Sequence, residues 1–176
     1  MMMHASRPKI YMTLLTGVLI TFSLLTQYPL AQAHASRTVE SSHGQLSLDS
    51  LKSNLHHPWG MAFLNADRVL ITERRGRLLA FNLKRSTTRI IRGLPQIIAQ
   101  GQGGLLDVAI DRQFAKNRWV YLSYTGGSPN AKSTYVGRGK LQNGKLNQFQ
   151  VIFEATPKIK SQFHFGSRLV FSQEGH

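Results

Sequence analysis

Cysteine is absent from the 176 residues. That excludes disulfides, thiolate metal sites and cysteine nucleophiles together. Acidic residues are scarce, 8 Asp and Glu against 22 Lys and Arg. A low charged fraction, 17%, and 41% hydrophobic residues nonetheless exclude a disordered, highly charged tail and allow a packed core. Sustained 3.6-residue periodicity is missing, which argues against a helical domain. The longest apolar stretch, Ile10 to Leu25, is about 16 residues, shorter than the roughly 20 needed to cross a bilayer.

That stretch has another reading. Arg7 and Lys9 precede it without an acid, and Pro29 and the small-residue triplet Ala31-Gln32-Ala33 follow it. A basic start, an apolar middle and an A-x-A end form a secretory signal peptide. The expectation is a signal peptide over 1–33, cut after Ala33 or after Ala35, and a mature protein that is exported to a periplasm or secreted. No stable membrane span is expected after cleavage.

Removing Arg7 and Lys9 lowers the formal charge from +14 to +12. The cations are scattered from Arg37 to Arg168 and not gathered on one helix. The densest groups, Arg74-Arg75-Gly76-Arg77 and Lys84-Arg85, fall at expected hairpin turns, where solvent accommodates them. Export and scatter together exclude nucleic acid as a partner.

After a linker over 34–50, short β-rich runs alternate with turn residues. Trp59–Leu64, Val69–Thr72, Arg77–Leu83 and Thr88–Leu94 form one meander of four strands. Leu105–Ile110, Trp119–Tyr124, Tyr135–Leu141 and Phe149–Phe153 form a second. Arg168–Phe171 opens a third, and Glu174-Gly175 reads as its first turn. Met61-Ala62-Phe63, Val108-Ala109-Ile110 and Leu169-Val170-Phe171 hold equivalent places, 47 and 61 residues apart. Four strands repeating at about this interval mark a β-propeller blade; a β-sandwich also uses short strands and frequent turns. The chain is therefore expected to be all-β. Its repeats are blade 1 over about 51–95, blade 2 over about 105–155 and the start of blade 3 over about 164–176. Because the repeat breaks off inside a turn, the expectation is the N-terminal part of a longer propeller.

Pro58-Trp59-Gly60-Met61-Ala62-Phe63-Leu64 and Thr72-Glu73-Arg74 open the first repeat. Gly101-Gln102-Gly103-Gly104-Leu105-Leu106-Asp107-Val108-Ala109 opens the second, followed by Phe114, Asn117-Arg118 and Val120-Tyr121-Leu122-Ser123-Tyr124. His164-Phe165-Gly166-Ser167-Arg168-Leu169-Val170-Phe171 opens the third. In this order, from about Leu51 to the last residue, the chain resembles the glucose/sorbosone dehydrogenase family of pyrroloquinoline quinone (PQQ) enzymes. The resemblance implies a six-bladed propeller, which decides against the sandwich. It also implies oxidation of an aldose at its anomeric carbon by hydride transfer to the quinone.

The same resemblance gives two residues their roles. His164 stands where relatives place the catalytic base, a task suited to an imidazole. Gln102 lies in the family's G-Q-x-G-L-L turn, where its amide would orient substrate or cofactor. Read alone, Gly101, Gly103 and Gly104 would simply form a tight turn. The resemblance implies PQQ and calcium as cofactors, with most of their binding residues in later blades absent from this chain. The 176 residues alone are therefore expected to be inactive. Phe163 departs from the pattern, since relatives carry a polar residue such as Asp or His there.

Other candidates read as structural. Trp59 is expected in the core between blades. Asp107 and Asp111 flank a strand without a metal-ligand spacing. His56 and His57 would point to opposite faces of a strand, and no metal site is expected. The electron acceptor is not specified. The alternative to a dehydrogenase is a non-catalytic propeller that binds sugars or proteins, because fold alone does not choose function.

Overall fold

The computed structural model describes residues 36–173. The expected signal peptide lies outside them. Among the described residues no helix is long and apolar enough to cross a membrane.

A hairpin opens the described chain. β1 (Ser36–Ser41) pairs with β2 (Gly44–Asp49) in antiparallel register across the Ser42-His43 turn. The stretch read as a linker is thus partly a hairpin. Its strands are exposed, Leu46 and Leu48 of β2 included, and the alternation Gln45-Leu46-Ser47-Leu48-Asp49 is too short to stand out.

Two four-stranded antiparallel meanders follow. The first is β3 (Pro58–Asn65), β4 (Arg68–Glu73), β5 (Arg77–Asn82) and β6 (Thr87–Ile91), in that spatial order. The second is β7 (Leu105–Ile110), β8 (Trp119–Ser128), β9 (Ala131–Gln142) and β10 (Lys145–Glu154). The turns between them carry the chemistry expected of turns: Ala66-Asp67, Arg75-Gly76 and Asn143-Gly144. Among the described residues the one helix, α1 (Phe114–Asn117), fills the β7–β8 connection. Phe114 is buried there, under the Arg118 guanidinium at 4.4 Å.

Strand register decides which face of each sheet is buried. In blade 1, Ala62, Leu70, Ala80 and Arg89 share one face, because each sits opposite the next. Leu70, Leu78 and Ile91 from this sheet enter one core with Leu105, Val108, Val120, Leu122, Tyr124 and Leu146 from blade 2. That shared core joins the two sheets as neighbouring blades, with β3 and β4 against β7. A fully buried Leu contributes about 1.5–3 kcal/mol. Within blade 2, Gln148 at φ 52 and the register shift after Asn147 turn Phe149 inward. Its ring covers Gly137, where a Cβ would stand 2.5 Å from the ring and would have to push it aside.

Polar contacts sew the same seam. Thr72 Oγ1 accepts from Gly60 N at 2.8 Å and donates to Leu106 O, joining β3, β4 and β7. Leu105 N donates to Arg74 O at 2.9 Å, and Leu146 N to Arg92 O at 2.8 Å. The seam is therefore closed at its inner and outer ends.

Two expectations are corrected here. Trp59 is not a core residue: it is 42% exposed, on the β3 face that also exposes Met61 and Phe63. Gly60, Ala62 and Leu64 take the inward positions. Arg168–Phe171, expected to be a strand, makes no ladder among the described residues. Side chains of blade 2 hold it instead. Asp107 accepts from Leu169 N at 2.8 Å and from Arg168 at 3.2 Å, and the Tyr121 and Phe171 rings meet edge-on at 5.1 Å.

Candidate functional site

The sequence placed its two site residues in separate repeats, 62 positions apart, and the fold brings them together. The Gln102 side-chain oxygen accepts from the backbone N–H of His164 at 3.0 Å. One turn away, Gln102 N donates to Gln162 O at 2.8 Å. The Gln102 turn and the 162–164 segment are thus tied by two hydrogen bonds. His164 sits at φ 65, a conformation costly for a residue with a Cβ and maintained here by its surroundings. Both side chains are exposed.

The turn itself is built closely. Gly103 N donates to Gln100 O at 2.8 Å, closing it. Gly101 takes φ 56, and a Cβ there would overlap the Gln162 backbone. Gly104 takes φ 150, and a Cβ would overlap the Arg74 backbone. These glycines therefore do more than permit a bend. They let three chain segments meet where a side chain would hold them apart.

Cations clamp the turn from two sides. The Arg74 guanidinium donates to Gly101 O and, at 3.1 Å, to Gly103 O. Lys132, only 2% exposed, donates from Nζ to Gln100 Oε1 at 3.1 Å and to Pro129 O. Neither was assigned a role from sequence. Arg74 was read as a solvated turn cation; the structure spends its charge on two carbonyls instead. Next to it, buried Glu73 pairs with Arg77 and accepts from His56 N at 2.7 Å. Burial pushes the Glu73 carboxyl upward, but the His56 N–H and the Arg77 guanidinium outweigh it and hold the group below its ordinary value.

With its oxygen taken by His164 N, the Gln102 amide faces solvent with its Nε2 hydrogens. It can therefore donate to a ligand oxygen, and His164 is exposed next to it along the chain segment that it holds. Phe163 is 56% exposed and offers only ring carbon at this rim. Ser161 Oγ accepts from its backbone N–H at 3.1 Å. Thr134 Oγ1 accepts from Gly166 N at 3.0 Å, fixing the far side of the segment.

Asp107 and Asp111 prove structural. Asp107 is buried and holds the 168–169 segment. For Asp111, burial pushes the carboxyl up, but Asn117, Gln113 N, Tyr121 and Arg138 together draw it below its ordinary value. Among the described residues no three His, Asp or Glu side chains gather as a metal ion would require.

A family model described as Glucose / Sorbosone dehydrogenase matches residues 55–176. The aldose sugar dehydrogenase YliI of Escherichia coli (strain K12) is 37% identical over 135 residues, 74% of this chain and 36% of that protein. A crystal structure of a glucose dehydrogenase superposes with a TM-score of 0.67 at 42% identity, covering 70% of this chain and 37% of the other. The PQQ-bound form of an aldose sugar dehydrogenase from Streptomyces coelicolor superposes at 0.65 over 82% of this chain and 41% of that one. At 22% identity, that likeness bears on fold alone. The chain spans about a third of the length of the curated relatives it matches first.

Proposed function

From the premise that this chain belongs to the glucose/sorbosone dehydrogenase family, we propose that it forms one wall of the active site of an exported, PQQ-dependent aldose dehydrogenase. The observation that carries the proposal is the junction of Gln102 with His164, in which the Gln102 side chain binds the His164 backbone N–H and both residues stay exposed. Signal-peptide character at 1–33 supports export. Membership of a family whose resemblance implies PQQ supports the cofactor.

The residues present fit a quinone and a sugar at their reacting edge. Gln102 Nε2 suits a quinone or sugar oxygen, and the His164 ring suits a hydroxyl proton. When bound, PQQ supplies the acceptor for the hydride leaving the anomeric carbon. His164 takes the proton of the anomeric hydroxyl as the C–H bond breaks and C=O forms, so the sugar leaves as its lactone. Gln102 orients the oxygen that faces it. The Gly101–Gly104 turn keeps Gln102 in place, and Arg74 and Lys132 keep the turn in place. Both cations are engaged with the protein, so the quinone's carboxylates need other partners. The resemblance likewise assigns calcium's ligands to later blades. The 176 residues alone are therefore expected not to reduce a dye acceptor with PQQ, calcium and glucose.

The test exchanges residues 51–176 for their counterpart in the E. coli enzyme. The chimera is expected to oxidise aldoses, and His164→Ala to lower its turnover by about 10²–10⁴-fold, the usual contribution of a general base. Gln102→Ala should weaken turnover while PQQ remains bound. A chimera that binds PQQ and turns over equally well with alanine at His164 would remove the base from the proposal.

A further inference from the structure

The end of blade 1 remote from Gln102 and His164 carries positive charge that the proposed reaction does not use. Register sets Arg68 opposite Asn82 and Asn82 opposite Thr87; two residues along, Ala80 sits opposite Arg89. Side chains two apart on a strand share a face, so Arg68, Asn82, Thr87 and Arg89 project to the same side. Arg85 joins them from the β5–β6 turn, where its N–H donates to Asn82 Oδ1 at 2.8 Å. That bond leaves Asn82 Nδ2 as a donor. These five side chains line a concavity of about 170 Å³.

No carboxylate lines it. The neighbouring acid, Asp67, pairs with Lys84 at 3.0 Å. Among the described residues, the guanidinium groups of Arg68, Arg85 and Arg89 have neither an ion pair nor a hydrogen-bond partner. Arg37, Arg75 and Arg92 are unpartnered too but lie outside this concavity, while Arg74 holds carbonyls, Arg77 and Arg168 hold carboxylates, and Arg118 and Arg138 lie over aromatic rings. Three guanidinium groups thus gather around one concavity with no carboxylate in its lining.

We propose that this pocket binds a phosphate-type oxyanion. A guanidinium fork matches two phosphate oxygens at once. Three forks, an amide and a hydroxyl supply more donors than the two oxygens of a carboxylate can occupy. The shared chemistry is a phosphoryl group, whether on a free phosphate ester or on a lipid headgroup. The pocket belongs to blade 1 and does not depend on the dehydrogenase reading.

The test is a ¹H–¹⁵N NMR titration of the full chain with inorganic pyrophosphate at fixed ionic strength, which holds constant the general attraction of a basic protein for anions. Saturable shifts are expected at the amides of Thr87 and Arg89. Arg68→Ser and Arg89→Ser should each weaken binding about tenfold or more. Arg89→Lys, which keeps the charge and loses the fork, should fall between wild type and Arg89→Ser. Arg37→Ser, on the exposed β1 strand, should leave affinity unchanged. Shifts that never saturate, or equal weakening by Arg37→Ser, would overturn the proposal. Phosphatidylglycerol vesicles, with phosphatidylcholine as control, identify the source. Co-sedimentation that the Arg68→Ser/Arg89→Ser variant abolishes points to a headgroup, and pyrophosphate binding without it points to a free phosphate. Binding to neither overturns the site.

Discussion

Replacing Asp107 should release the chain that leads away from His164 while leaving the blades standing. Asp107 is buried, and its carboxylate is the acceptor for both Leu169 N at 2.8 Å and Arg168 at 3.2 Å. A hydrogen bond to a charged acceptor contributes about 1.5–3 kcal/mol. Since about 1.4 kcal/mol is a factor of ten, Asp107→Ala should lower the exchange protection of the Leu169 amide by about 10- to 150-fold. The ion pair adds little, because Arg168 is 69% exposed and solvent screens it; such pairs contribute about 0–1 kcal/mol. Asp107→Asn keeps an oxygen for Leu169 N and loses the charge, so its effect should be smaller. Global stability should change less than local protection, because removing a buried charge also removes its desolvation cost. Hydrogen exchange read residue by residue is the assay. Unchanged protection at Leu169 in Asp107→Ala, or a loss spread evenly through β8 and β9, would refute the reasoning.

Two further predictions concern blade 1. Glu73 is held below its ordinary value of 4.5 in the fold, so the unfolded chain binds the proton more tightly. Its stabilisation is present above pH 4.5 and is lost as pH falls through the depressed value. The stability gap between wild type and Glu73→Gln should therefore narrow on acidification in denaturant titrations, and a widening gap would contradict it. Leu70 is fully buried at the seam and Phe63 is 53% exposed. Leu70→Ala should cost about 2–5 kcal/mol and Phe63→Ala far less, read as urea midpoints; equal costs would contradict the assignment of faces.

Much of the fold was legible because turns punctuate it. Ala66-Asp67, Gly76 and Asn143-Gly144 bound runs of β-branched and aromatic residues, and the strands fall between them within a few residues. The exposed β1–β2 hairpin has only the brief alternation of Leu46 and Leu48 to mark it. Trp59 was misplaced because an aromatic residue in a β run reads as core, whereas alternation along β3 gives the inward places to Gly60, Ala62 and Leu64. The site was legible only in part. Gln102 and His164 stood out through their resemblance to a family, but their contact spans 62 positions and depends on how two segments fold back. Arg74, Lys132 and Asp107 carried no local signal. A cation after a strand or an acid in one looks the same whether solvent or a backbone partner awaits it. Their roles follow from register across the seam, which composition does not encode.

The most direct test of the central claim, that these residues form the wall where a sugar loses its anomeric hydrogen, is an isotope measurement. The chimera carrying residues 51–176 in the E. coli enzyme would be given glucose deuterated at C1, with dye reduction followed against the unlabelled sugar. The account predicts slower turnover with the labelled sugar, and a further loss when His164 becomes alanine. Equal rates with both sugars, unaffected by the loss of His164, would contradict it.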